Sequence, residues 1–417
     1  MDIRSRTKIA FVVERYALDE VGESGRRTRA MAAAMASRGH DVTVLTTCAR
    51  EPDRWENGYA DGKSSLEGIN VVRFRLTASK NEWLSRPAKM LAPHHPAAGR
   101  FWSKSLGPNC AGFRRYLEHL GYLFDAVFFT GAWGYLVTEG VPRVRNAVLC
   151  PPPIEDPSHR AGHADSLFRA VRAVAVATPE DKVRLREETG CTWPCPTYLT
   201  GAGPDPMPTQ SLRMKRMRLV DGHYLLHVGH FGPATQKLVE AFRFFREAHA
   251  GTRLEDDTGE RMSVGDVRLV LAGDDRFPHA PEEGILSLGP VDDHARSVLL
   301  HRALAVVHPD PTNRLPTALL AAWTEGRPAL VHAGCGALAP VLDHVGSEYV
   351  YESAPTFAAS AASLLSSRGP RRVYGARSSE LARRAFSSAK LADSIESCVR
   401  GVLGRAKGQV LSIDSSV

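Results

Sequence analysis

No apolar run in this 417-residue chain approaches the roughly 20 residues that a membrane-crossing helix needs, so no helical membrane span is expected. The opening residues, MDIRSRTK, lack the apolar core of a secretory signal and lead straight into an apolar stretch. Cysteine is sparse and scattered: Cys48, Cys110, Cys150, Cys191, Cys195, Cys335 and Cys398. Only Cys191 and Cys195 are close, and no second pair completes a zinc site or a disulfide framework. A soluble protein in a reducing cytoplasm is the expected setting. Charge of one sign barely dominates: the net +7 permits acidic ligands but does not demand nucleic acid, and no nucleic-acid motif accompanies it.

What is present is an ordinary globular composition, 43% hydrophobic and 24% charged, at a length that suggests two or three domains. Lys8–Glu14 (KIAFVVE) is a short apolar run rich in β-branched residues, as a buried parallel strand should be. Arg27–Arg38 then carries a helical face of Ala30, Met31, Ala34 and Met35; Gly39 ends it, and Asp41–Thr46 reads as a second strand. Further strands are expected at Asp125–Phe129, Ala147–Cys150 and Ala173–Ala177, the last leading into a helix with Thr178 as N-cap and Pro179 at its first position. Residues 77–121, rich in Pro, Arg and aromatics such as Trp83 and Trp102, are expected to form a capping surface loop. Beyond a Gly/Pro hinge at Thr200–Pro208 the strand–helix alternation starts again, with strands at Tyr224–Gly229, Val267–Gly273, Ile285–Gly289, Leu304–Val307 and Ala329–His332. Amphipathic helices are expected at about Thr356–Leu365 and Leu391–Leu403.

The stretch His308–Trp323, HPDPTNRLPTALLAAW, joins the last two of those strands. It is a polar turn punctuated by Pro309, Pro311 and Pro316, followed by an apolar helix. In a doubly wound sheet such a turn lies at the carboxyl ends of the strands, where ligands bind. The stretch resembles the signature of family 4 nucleotide-sugar glycosyltransferases, roughly P-S-x-x-E-S-x-S-x-x-x-x-E-A-W. The same resemblance is carried by Val12-Val13-Glu14-Arg15-Tyr16, Thr43–Ala49, Trp55-Glu56-Asn57-Gly58-Tyr59 and Val267–Asp274, and it covers roughly residues 8–400. It implies the α/β GT-B fold: two facing Rossmann-like domains with parallel sheets and a cleft between them. On this reading residues 1–200 form an acceptor-side domain, 201–219 a linker and 220–390 a donor-side domain. Residues 391–405 form a helix returning to the first domain, and 406–417 a disordered tail.

The resemblance also implies where a ligand sits and shows what has changed there. On the donor side it points to Gly22 of a glycine turn, Gly229, His230 where the family has Arg, and Thr235 where it has Lys. Asn313 and Ala321 occupy the two signature glutamate positions, with Arg314 beside the first. Ile154 stands where the family has a His near the reacting sugar, while Glu155 and Asp156 keep its acidic pair. Arg15 belongs to the acceptor side, as do Arg26 and Arg27, which read as solvated surface residues. The implied ligand is a nucleotide-sugar, UDP- or GDP-hexose, with no metal or other cofactor. Retaining transfer depends on cations that stabilise the leaving diphosphate, and each lost charged contact costs about 2–4 kcal/mol. Two readings follow. One is a degenerate glycosyltransferase homologue of glycan or glycosylated-metabolite biosynthesis, non-catalytic or non-canonical, that binds a sugar-like ligand or a protein partner such as an intact glycosyltransferase. The other is an active retaining hexosyltransferase with a rewired pocket built on His230, Asn313 and Arg314.

Overall fold

The computed structural model describes residues 6–17, 23–50, 55–77, 90, 96–105, 107–131, 133–151, 163–201, 223–229, 231–273, 277, 283–311, 316–339, 342 and 349–406. The chain divides into two compact units, Met1–Gly203 with Ser388–Val417, and Pro204–Ser387. Of the expected linker only Gly201, and of the expected tail only Ala406, fall within the described residues.

The first unit is built on an eight-stranded sheet. Its strands are β1 (Lys8–Val12), β2 (Asp41–Thr47), β3 (Gly62–Leu66), β4 (Ile69–Phe74), β5 (Ala126–Phe129), β6 (Ala147–Leu149), β7 (Ala173–Val176) and β8 (Thr197–Leu199). They lie in the order β3-β4-β2-β1-β5-β6-β7-β8, all neighbours parallel except the β3–β4 hairpin. Side chains alternate between the two faces, as the period of a strand requires. Ile9, Phe11 and Val13 join one core with Met31 and Met35 of α1 (Glu23–Ser37). Ala10 and Val12 join the other, with Trp133, Leu136 and Phe168. Among the described residues two helices follow the β3–β4 hairpin, α2 (Pro96–Ser105) and α3 (Ala111–Leu120), and Phe113 and Leu117 of α3 enter this second core. Residues 96–105 and 111–120 are thus helical and not the surface loop expected of 77–121, and Trp102 is buried. The sequence hides this because each helix buries only a narrow apolar stripe among Arg, Lys and Glu. The remaining helices before the second unit are α4 (Tyr135–Gly140), α5 (His163–Ala170) and α6 (Pro179–Thr189); α6 is capped by Thr178, whose hydroxyl accepts from the Asp181 amide.

The second unit has the strands β9 (His223–Val228), β12 (Val267–Ala272), β13 (Ile285–Gly289), β14 (Ala305–His308), β15 (Ala329–His332) and β16 (Val350–Tyr351), with a separate hairpin of β10 (Arg253–Glu255) and β11 (Arg261–Ser263). Apart from the hairpin they form a six-stranded, wholly parallel sheet in the order β13-β12-β9-β14-β15-β16. Among the described residues its longer helices are α7 (Pro233–Ala248), α8 (Asp293–Arg302), α9 (Thr317–Thr324), α10 (Ala354–Leu365) and α11 (Arg368–Ala385). Helix α9 buries Leu319 through Trp323 without a break, so it is enclosed on all sides.

The last helix, α12 (Ser388–Ala406), belongs to the first unit. Leu391, Ala392, Ile395, Cys398, Val399 and Val402 recur at helical spacing and enter the core shared by β1 and α1. Arg38 pairs with Asp393 at 2.7 Å, and His40 meets Glu396 at 3.2 Å. The two ends of the chain are therefore packed into one core. Ile395→Ala is expected to cost about 2–5 kcal/mol of stability in denaturant unfolding; a loss below ~1 kcal/mol would show that α12 is not part of that core.

Candidate functional site

In the second unit the chain runs from β9 outward to β12 and β13, then crosses back to β14 on the other side of β9. The crevice at the carboxyl ends of β9 and β14 is thus the topological switch point, the usual ligand position in such a sheet. Polar side chains enter there because the strands stop. His227 is the penultimate residue of β9, His308 ends β14 and His332 ends β15.

Each imidazole is held differently. His227 is buried, and its Nδ1 lies 3.1 Å from the Val307 carbonyl, so Nδ1–H is the donor. His332 Nδ1 accepts from the Gly334 amide at 3.0 Å, and its ring meets Tyr351 edge-on at 5.5 Å. The Nε2 of His308 is buried and has no hydrogen-bond partner among the described residues. Burial, aided by His227 and His332 and opposed by Asp310, pushes the His308 pKa down to about 4. Protonating it would put a charge on a half-buried ring whose Nε2 is shielded from solvent, which favours the neutral form at pH 7. Among the described residues no group of three or more His, Cys, Asp or Glu is placed to hold a metal ion.

The loops around this edge are tight. Gly229 donates its amide to Ala272, and Gly273 donates to Gly289. A Cβ at Gly273 would collide with the Gly229 carbonyl and would lie 2.7 Å from the Phe231 ring. Phe231 meets Phe277 edge-on at 5.7 Å and His227 at 6.2 Å. Thr235, in the first turn of α7, is buried, and the Gly232 amide donates to its hydroxyl at 3.4 Å. At the position where the resemblance calls for a lysine, the side chain thus folds back onto the helix start. Lys237, two residues on, is exposed. Ala321 lies in the core with Leu226, Val270 and Val306, so this position supplies packing and no hydrogen-bonding group. His230, Asn313 and Arg314 lie outside the described residues, as do Gly22, Ile154, Glu155 and Asp156 of the first unit.

The first unit has its own switch point, between β1 and β5. Glu14, two residues past β1, is buried, and a Cβ at Gly131 would collide with its carboxylate. Thr28 of α1 donates to the Ser24 carbonyl and lies 2.6 Å from the Thr130 hydroxyl beyond β5. Arg15 donates to the Arg50 carbonyl at 3.3 Å. Asn57 of the Trp55–Tyr59 segment ties two loops together, its Oδ1 accepting from the Leu76 amide at 2.8 Å. Sequence reasoning alone does not single out Glu14, Thr28, His227 or His332. For the two histidines the signal available is polarity at the end of an apolar strand, as in YLLHVG for His227.

No family model matches the sequence, and no protein of curated function matches it. Solved structures do. A sucrose-phosphate synthase from Thermosynechococcus elongatus superposes with a TM-score of 0.63 at 13% identity, over 96% of this chain and 100% of that one. An E. coli trehalose-6-phosphate protein bound with UDP-2-fluoro glucose gives 0.59 at 11% identity, over 94% and 99%. WaaG, a glycosyltransferase involved in lipopolysaccharide biosynthesis, gives 0.55 at 15% identity, over 96% and 100%. The likeness establishes the fold as that of GT-B glycosyltransferases, two Rossmann-like units with parallel sheets. Among the described residues no helix is long and apolar enough to cross a membrane.

The packing of the β9 and β12 ends makes Gly273 the sensitive point of this edge. Gly273→Ala is expected to force Phe231 aside and to lower stability by about 1–3 kcal/mol in denaturant unfolding; an unchanged unfolding midpoint would show that the two loops have room to spare.

Proposed function

We propose that this chain is a glycosyltransferase-fold protein of glycan or glycosylated-metabolite biosynthesis that does not carry out ordinary nucleotide-sugar transfer. On this reading it is a pseudo-glycosyltransferase or partner subunit, or it holds a sugar-like ligand without the usual chemistry. The observation that carries the proposal is the character of the β9–β14 edge. A leaving diphosphate needs fixed positive charge. The described part of this edge offers instead a buried threonine turned back on its own helix and a histidine kept neutral by burial. A neutral imidazole contributes one N–H and no charge, and it lacks the five-donor fork of arginine.

A second reading, an active retaining hexosyltransferase with a rewired donor pocket, has one observation in its favour. The Nε2 of His308, buried and without a hydrogen-bond partner among the described residues, is a group that a ligand would satisfy. A UDP- or GDP-hexose is the ligand that both the fold and the UDP-sugar bound to the E. coli neighbour make plausible.

Calorimetric titration of the purified protein with UDP, GDP and their hexose conjugates separates the two. Losing two or more charged contacts moves an ordinary micromolar site to about the millimolar range or weaker. The proposal expects no heat of binding in the micromolar range from any of them. Micromolar binding of one nucleotide would overturn it in favour of the rewired pocket.

A further inference from the structure

Helix α1 carries Arg26, Arg27, Arg29 and Arg38 along its length and at its end. Arg29 lies 3.5 Å from Glu67, and Arg38 lies 2.7 Å from Asp393. Arg27 differs. It is half-buried, and its Nε and Nη2 are shielded from solvent with no hydrogen-bond partner among the described residues. The buried carboxylate at the end of β1, Glu14, packs over Gly131 and does not take up these groups.

The position is not arbitrary. Arg27 sits one residue before Thr28, which meets Thr130 at the end of β5. Its charge also reaches Cys150, which follows β6. It therefore stands at the carboxyl edge of the first sheet, beside the β1–β5 switch point. The two unpartnered nitrogens are also the adjacent pair along one edge of the guanidinium. Their N–H bonds run parallel, the arrangement that grips two oxygens of a carboxylate or phosphoryl group. A buried charged donor without a partner costs stability and calls for an explanation, whereas Arg29 and Arg38 each lie close to a carboxylate.

We propose that Arg27 anchors an oxyanion subsite on the first unit, taking a carboxylate or phosphoryl group of a small molecule side-on through Nε and Nη2. This corrects the expectation that Arg27 is a solvated surface residue. It does not depend on any nucleotide binding to the second unit.

The test uses the full chain, with thermal unfolding and calorimetry in inorganic phosphate, glucuronate and neutral glucose, at constant ionic strength. Wild type is expected to be stabilised by at least one of the two anions and not by glucose; which anion acts tells a phosphoryl from a carboxylate ligand. Arg27→Met keeps much of the side chain's length and removes the unsatisfied charge. Its unfolding midpoint without ligand is expected to equal or exceed that of wild type, with the anion effect lost. Arg27→Lys keeps a charge but not the fork, and its anion affinity is expected to fall about tenfold. The proposal is overturned if neither anion binds wild type, or if Arg27→Met binds anions as wild type does. It is also overturned if Arg27→Met lowers the ligand-free midpoint, since Arg27 would then be serving the fold.

Discussion

Strands β5, β6 and β7 are buried at every residue, and β1 and β2 nearly so, because helices cover both faces of the first sheet. The central strands of the second sheet, β9, β12 and β14, are enclosed in much the same way. A parallel sheet enclosed like this can expose functional groups only where its strands end. Everything of chemical interest among the described residues obeys that constraint: Glu14, Thr130 and Cys150 in the first unit, and His227, His308 and His332 in the second. It also explains why these groups are titratable or polar yet poorly solvated. They stand at the margin of a dry core, where burial pushes the His308 pKa down and the Cys150 thiol up.

The strand skeleton is legible in the sequence because enclosed parallel strands are near-continuous apolar runs. Lys8–Val12, Val267–Ala272 and Ala329–His332 can be read directly, with ends off by a residue or two. What escapes are elements whose apolar pattern is thin. Helix α1 begins at Glu23, four residues before its apolar face suggests, because its first turns are polar. The β3–β4 hairpin turns through Glu67 and Gly68, both at positive φ, the backbone of a type I′ turn, and a Glu-Gly pair is a weaker signal for it than Asn-Gly. Helices α2 and α3 lie concealed among prolines and arginines.

The candidate site is legible as a frame and less so as chemistry. The resemblance locates the β9 turn and the β14–α9 turn, and the structure describes Gly229, Thr235 and Ala321 there. It cannot show that Thr235 bends back onto the helix start, that Ala321 is core, or that three strand-end histidines surround the switch point. Those facts depend on side-chain rotamers and on contacts between segments far apart in sequence. Arg27 makes the same point from the other side: composition makes a surface arginine the default, and only the packing shows two of its nitrogens enclosed without a partner among the described residues.

The proposed lack of ordinary transfer chemistry turns on the described part of the β9–β14 edge offering no fixed positive charge at neutral pH. The direct test is ring-nitrogen NMR of the full chain labelled with 15N-histidine, with His308 assigned by His308→Gln and followed from pH 5 to 8 (roughly the range over which an ordinary imidazole titrates). The expected result is a neutral His308 ring, with one protonated and one bare nitrogen, throughout that range. A His308 protonated on both nitrogens at pH 7 would contradict it, because the edge would then carry the fixed positive charge that a leaving diphosphate requires.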